Sequence, residues 1–232
     1  MLIIYHELMV WIVSALILIL IVFFASTLIT FFKQKKRVTL YLTLNYLTFI
    51  IAMVFFDTAH FSAVLNGMTT DFYFHSSMFA NIFVMLGIIT NILFHSKFGQ
   101  VNSTTKVLKV IFGFLITGWL FLPFNYDVGA TSGFQLKYLT YLFMSVYGII
   151  IYIGITTSFL KMARATTQSK RQLFALCIGS LIFLLYFIII AIFGITQIFV
   201  FLLISMFCLF GSFFCYFLGI YLPKLKSKSE KQ

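Results

Sequence analysis

Long apolar runs separated by short polar stretches form the pattern of this chain of 232 residues. Because a helix rises about 1.5 Å per residue, roughly 20 apolar residues cross the hydrocarbon core of a bilayer. Seven stretches are long enough, so the predicted fold class is all-α, a polytopic membrane bundle of seven transmembrane helices. The predicted spans are 7–32, 38–61, 75–96, 107–124, 137–160, 173–194 and 197–221.

The last two spans have to be separated within one uncharged stretch over residues 172–223. A single helix of that length would reach about 75 Å, more than twice the thickness of the hydrocarbon core. Residues 194–196 (Gly-Ile-Thr) lie near the middle, and glycine supplies the backbone freedom of a tight turn. We therefore place a turn there and expect Pro223 to end the seventh span.

Charge tests this count independently, because cytoplasmic loops of membrane proteins collect Lys and Arg. Fifteen of the 16 basic residues follow spans one, three, five and seven, and only Lys137 lies on the other side. Glu7, Asp71 and Asp127 lie in the opposite segments. This alternation predicts an outside N-terminus and an inside C-terminus. The fifteen residues are Lys33, Lys35, Lys36, Arg37, Lys97, Lys106, Lys109, Lys161, Arg164, Lys170, Arg171, Lys224, Lys226, Lys228 and Lys231.

Composition supports the same class: 62% of the residues are hydrophobic and 9% are charged, whereas about a quarter are charged in soluble domains. We predict a transmembrane domain over 1–223 and a short basic cytoplasmic tail over 224–232. The first segment lacks the basic start of a cleavable signal peptide and is expected to remain as an anchor. The expected location is the cell membrane, as a multi-pass protein surrounded by lipid bilayer, with no nucleic-acid partner.

Small and polar residues within the spans predict how the helices pack. Gly211, Cys215 and Gly219 recur every four residues on one face of the seventh span, which predicts a helix-packing face because small residues let backbones approach in lipid. The strongest polar residues inside the spans are predicted to form interhelical hydrogen bonds. They are Asn45, Asn81 and Asn91.

The stretch FFDTAHF places Asp57 and His60 at the outer end of the second span. Residues three apart share a helix face, so both side chains are expected on one side. A short outer loop over 66–74 carries Asp71, and His75 opens the third span. The hairpin therefore predicts a candidate ligand-binding cluster at the outer surface, formed by these two carboxylates and two imidazoles.

Three interpretations of this outer cluster stay open. The groups can be hydrated or pair with one another, which costs little near the membrane surface. They can respond to protons or a ligand, because histidine titrates near pH 6.5. They can bind a metal, because carboxylate and imidazole are ligand types that zinc accepts. His6 and Glu7, at the start of the first span, are expected at the same level.

Two stretches resemble a known family: FCYFLGIYLPKLKSK at 214–228 and FFKQKKRVTLYLTLNYL at 31–47. They are similar to the seven-helix sensor region that precedes the kinase in some prokaryotic membrane histidine kinases, whose last helix often closes with Gly, Pro and basic residues. The resemblance implies a receptor-like or sensor-like protein. Only PKLKSKSEKQ follows the last helix, so signalling is expected to need a separate cytoplasmic partner at the basic inner loops, where anionic lipid is a further partner.

Two other functions stay open as alternatives. A small-solute transporter shares the topology, although neither proline interrupts a helix centre as transporters often require. A metal-dependent membrane hydrolase would use Asp57, His60 and His75, which resemble part of the zinc motifs of the haemolysin III and progestin-receptor group. No catalytic residues are predicted and the cofactor is left open. Retinal is not expected, because span 197–221 contains no lysine for a Schiff base.

Overall fold

A computed structural model describes residues 2–66, 71–98, 103–120, 133–165, 169–196 and 198–229. This part of the chain consists of seven helices and contains no strand. Each helix is long and apolar enough to cross a membrane, so the predicted seven-helix membrane bundle is confirmed, while its orientation stays a prediction. The helices are α1 (Leu2–Gln34), α2 (Arg37–Asn66), α3 (Asp71–His95), α4 (Ser103–Leu120), α5 (Gly133–Ala165), α6 (Lys170–Thr196) and α7 (Phe199–Ser229).

The turn between the last two helices lies just after the predicted residues 194–196, which still belong to α6. α6 ends at Thr196 and α7 begins at Phe199. The Thr196 hydroxyl donates a hydrogen bond to the Ile192 carbonyl, one turn earlier, at 2.9 Å. The uncharged stretch therefore folds as two helices that pack against each other.

Two predicted boundaries are wrong. α7 continues as a helix through Pro223 to Ser229, because a proline removes one backbone hydrogen bond and bends a helix without always ending it. The predicted loop over 66–74 is shorter, since α3 already begins at Asp71. An aspartate is favoured at that place, because the unpaired N–H groups of a helix start attract negative charge. The end of the predicted fourth span, residues 121–124 with Pro123, lies outside the described residues.

Neighbours in sequence are also the closest neighbours in space. The most extensive contacts join α1 with α2, α2 with α3, α5 with α6, and α6 with α7. α1 also touches α7, and α3 touches α5, so the two groups of three helices close on each other. α4 lies at the side of the bundle against α3 and α5. The interior is therefore shared by six helices.

Aromatic rings fill the middle of this interior. Phe213 of α7 lies 4.7 Å from Phe49 of α2 and 5.2 Å from Phe183 of α6, measured between ring centroids. Phe183 also stacks on Tyr152 of α5 at 4.8 Å. Such ring pairs contribute about 0.5–1.5 kcal/mol each beyond the area that they bury. They hold four helices together in the centre of the bundle.

The stripe of small residues on α7 lies against α6. A Cβ atom added to Gly219 would be 2.8 Å from Leu176 Cγ, and one added to Gly179 would be 3.1 Å from the Cys215 Cβ. At Gly211 the nearest atoms of α6 are at an ordinary 3.8 Å. The two helices are therefore closest at the Cys215 and Gly219 end of the stripe, where a side chain on either glycine would push them apart.

Two of the three buried asparagines connect helices as predicted. Asn45 of α2 donates a hydrogen bond to the Gly87 carbonyl of α3 at 2.7 Å. Asn91 of α3 donates one to the Tyr152 hydroxyl of α5. In lipid such bonds satisfy polar groups that no water can reach. The third asparagine, Asn81, has a different environment, which belongs to the candidate site.

Candidate functional site

Two buried histidines meet where α1 begins and α2 ends, at what we call the histidine end of the bundle. His6 is 3% exposed and His60 is 1% exposed. Their Nδ1 atoms are 2.7 Å apart, which is a hydrogen-bond distance. A bond between two ring nitrogens needs one N–H and one lone pair, so one Nδ1 atom carries a proton and the other does not. The pair therefore joins α1 to α2 through one shared proton.

Two tyrosine rings enclose this pair. Tyr5 of α1 and Tyr73 of α3 both lie edge-on to both imidazoles, with centroid distances between 5.6 and 6.1 Å. Edge-to-face contacts of this kind are favourable and remove the enclosed ring from the solvent. The four residues, which we call the histidine cluster, connect the first three helices at one point.

A central cavity of about 40 Å³ borders the cluster at His60 and Tyr73. Residues of α2, α3, α5, α6 and α7 line it, and most of them are apolar. Its polar lining includes Asn81 of α3 and Tyr186 of α6. A space of this size accommodates about three water molecules. The cavity thus places the histidine cluster next to the point where five helices converge.

Two polar atoms beside the cluster and the cavity can each form a further hydrogen bond. Asn81 Oδ1 and His6 Nε2 are both buried, and neither has a hydrogen-bond partner among the described residues. Buried polar atoms without partners are rare in native proteins, because each costs about 1–3 kcal/mol. The histidine end therefore has unused hydrogen-bonding capacity in a site that is otherwise closed and apolar.

Asp57 makes a separate polar contact one turn before His60. The Ser14 hydroxyl of α1 donates a hydrogen bond to Asp57 Oδ2 at 3.1 Å. Asp57 Oδ1 is buried and has no partner among the described residues, although the residue as a whole is half-buried. Carboxylates at such places in membrane proteins are costly and often functional. α1 and α2 are consequently joined by two polar contacts, spaced along their shared surface.

Two other predicted members of the outer cluster, His75 and Asp71, lie on α3. His75 is exposed on α3, whereas His60 is buried against α1. Asp71 is the first residue of α3, and its side chain lies outside the described part. Within the described residues, no three His, Cys, Asp or Glu side chains form a group that could hold a metal ion. The metal interpretation of Asp57, His60 and His75 therefore has no ligand set there.

Of the four residues in the histidine cluster, only His60 was named from the sequence as a candidate site residue. His6 was expected at the same level as His60 without being assigned to the cluster, and the two tyrosines were not singled out. Asn81 was assigned to an interhelical hydrogen bond, whereas its carbonyl oxygen has no partner among the described residues and the residue borders the cavity. The available signal was His6 itself, the only histidine in α1.

Comparisons with known proteins do not add a family. No family model matches the chain, and no curated protein or solved structure matches it either. The resemblance of 214–228 and 31–47 to sensor regions therefore stays a prediction. What the described helices establish is a seven-helix protein of the integral membrane class.

Proposed function

We propose that this protein is a receptor-like membrane protein that responds to protons, with the histidine cluster as its sensing site. The observation that supports this proposal is the buried Nδ1 to Nδ1 hydrogen bond between His6 and His60. Histidine is the side chain whose ordinary titration falls in the physiological pH range. A histidine pair that joins two helices gives a proton a direct effect on helix packing.

The number of protons on the histidine pair determines whether its hydrogen bond persists. A neutral pair has one N–H and one lone pair at the contact, and it can take up one further proton without losing the bond. A second added proton would place an N–H on both Nδ1 atoms, so no acceptor would remain. Two adjacent positive charges would then also repel each other in an apolar site. Acidification is therefore expected to separate the start of α1 from the end of α2.

Few other ionisable groups face the pair. Tyr5 and Tyr73 are the rings in contact with it, and Tyr186 lies across the central cavity. Asp57 is one turn away and bound to Ser14, while Glu7 is exposed beside His6. Because no carboxylate contacts either imidazole among the described residues, nothing there compensates two positive charges.

A continuous series of ring contacts supports transmission of such a movement. From the central cavity, Tyr186 contacts Phe183 at 6.3 Å, and Phe183 contacts Tyr216 at 6.0 Å. Tyr216 contacts Phe94 at 5.9 Å, and Phe94 contacts Phe98 at 5.0 Å, just beyond the end of α3. Packed rings transmit a displacement because a dense interior leaves little free space. In this proposal a separate signalling protein binds at the far end, where the basic residues lie.

The test is a distance measurement between α1 and α2 at two pH values. Spin labels are attached at Leu8→Cys and Phe61→Cys, which are exposed positions near the pair, after the three native cysteines are replaced by alanine. We expect the distance distribution to lengthen from pH 8 to about pH 3 in the otherwise native protein, because an apolar site opposes the uptake of two positive charges. His60→Asn, which keeps a hydrogen-bonding group but cannot take up a proton, should abolish this change.

His75→Asn is the matched control, because it removes an exposed histidine near the same end of the bundle. It should leave the pH-dependent change intact. Identical distributions at pH 8 and about pH 3 in the native background would contradict the proposal. So would a change that is lost in the His75→Asn protein and kept in the His60→Asn protein, because another histidine would then be the sensor.

A further inference from the structure

The end of the bundle opposite the histidine cluster carries positive charge that no carboxylate of the described residues balances. It is formed by the end of α1, the start of α2 and the adjoining ends of α3, α4, α5 and α6, and we call it the basic end. All lysines and arginines whose side chains are described lie there. The acidic residues of the described part, Glu7, Asp57 and Asp71, belong to the histidine end. A ligand with negative charge is therefore favoured at the basic end.

A cavity of about 540 Å³ lies at this end, between the turn from α1 to α2 and the helices α5, α6 and α7. Gln34, Lys36 and Gln172 line it near the helix ends, while Met162 and Leu176 line it as well. Leu176 lies about one turn into the apolar part of α6. The volume is within the range of about 300–1,000 Å³ that is usual for ligand pockets. Its lining combines a polar, positively charged mouth with an apolar interior.

The turn that carries Lys36 has a constrained backbone. Lys35 adopts a positive φ of 49°, a conformation that side chains other than glycine rarely take. Its N–H donates a hydrogen bond to the Phe31 carbonyl at 2.6 Å, and the Thr39 hydroxyl donates one to the Lys36 carbonyl at 2.7 Å. These bonds close the turn from both sides. Lys36 is thereby held at the mouth of the cavity by two helices.

We propose that the basic-end cavity binds one anionic phospholipid, with its phosphate near Lys36 and an acyl chain beside Met162 and Leu176. The positive charge of Lys36 favours an anionic headgroup, because no described carboxylate competes for the lysine. The apolar lining favours a lipid over a soluble phosphate compound, because the soluble compound would leave that lining without an apolar partner. Basic pockets between membrane helices suit lipid headgroups for the same electrostatic reason. This site is independent of the proposed proton response.

The proposal is tested by lipid binding to the detergent-purified protein, with phosphatidylglycerol and phosphatidylcholine of identical acyl chains as probes. We expect about one phosphatidylglycerol per protein and at least fivefold weaker binding of phosphatidylcholine. Lys36→Gln should weaken phosphatidylglycerol binding about fivefold, the effect expected for one lysine near the headgroup. Met162→Trp, which fills the apolar part, should weaken binding of both lipids.

Lys161→Gln is the matched control, because it removes the same charge from an exposed position at the same end that does not line the cavity. It should bind phosphatidylglycerol as the native protein does. An equal loss in Lys36→Gln and Lys161→Gln would overturn the proposal in favour of general surface attraction. Equal binding of the two lipids would overturn it as well. Displacement of the lipid by an equal concentration of inorganic phosphate would show that the site takes a soluble anion.

Discussion

The two ends of this bundle differ in the exposure of their polar groups. At the histidine end, His6 and His60 are buried, bonded to each other and enclosed by tyrosine rings beside a cavity of about 40 Å³. At the basic end, Lys36 and its neighbours are exposed around a cavity of about 540 Å³. Enclosed groups depend on each other for hydrogen bonds, whereas exposed ones are satisfied by water or headgroups. Substitutions should therefore affect folding at one end and ligand binding at the other.

The largest expected effect is at the histidine pair. His60→Ala should lower the free energy of unfolding by about 3 kcal/mol, because it leaves a space in the interior and an unpaired imidazole on His6. The measurement is reversible unfolding in mixed detergent micelles at pH 8. His75→Ala, at an exposed position, should cost less than about 0.5 kcal/mol. Equal costs for the two variants would remove the contrast between buried and exposed histidines.

A second prediction concerns the tightest contact near the basic end. Gly219→Ala should lower the free energy of unfolding by about 1–3 kcal/mol, because the new Cβ atom would lie 2.8 Å from Leu176 Cγ. Gly211→Ala is the control, since its Cβ atom would meet α6 at an ordinary 3.8 Å. The same unfolding experiment decides between them. If Gly211→Ala costs as much as Gly219→Ala, the close approach to Leu176 would not explain the loss of stability. The contact between α6 and α7 would then need revision.

The asparagines give a prediction in which two similar changes have opposite signs. Asn81→Leu should leave stability unchanged or raise it by about 1 kcal/mol, because it removes an unsatisfied buried oxygen. Asn45 Oδ1 likewise has no partner among the described residues, but Asn45→Leu also removes the bond to the Gly87 carbonyl. It should therefore lower stability by about 1–2 kcal/mol. A cost at Asn81 as large as that at Asn45 would indicate that Asn81 Oδ1 is satisfied in the membrane.

The smallest effect on folding is expected at the mouth of the basic-end cavity. Lys36→Gln should change the free energy of unfolding by less than about 0.5 kcal/mol, because the side chain is exposed. Lipid binding by the same protein should nevertheless fall. A folding defect as large as that of His60→Ala would contradict the separation of stability and binding between the two ends.

The number and order of the helices follow from the sequence, because each backbone segment in hydrocarbon must satisfy its own hydrogen bonds and only long apolar helices do so. The turn near Thr196 follows for the same reason, since residues 172–223 are too long for one span. Asn45 and Asn91 could be assigned to interhelical bonds, because a buried amide in lipid needs a partner. Pro223 was misjudged because a proline at a membrane surface can bend a helix that then continues.

Only the tertiary structure decided which helix faces meet. α1 is apolar around its whole circumference, so no periodic pattern marks the side that carries His6. The spacing of Asp57 and His60 located them on one helix, but helix rotation gave His60 a partner on α1 instead of His75 on α3. The rotation of α3 in turn placed Asn81 at the central cavity. Sequence determines that these helices lie in a membrane, because apolar length is a property of each segment alone, whereas partners depend on the packing of all seven.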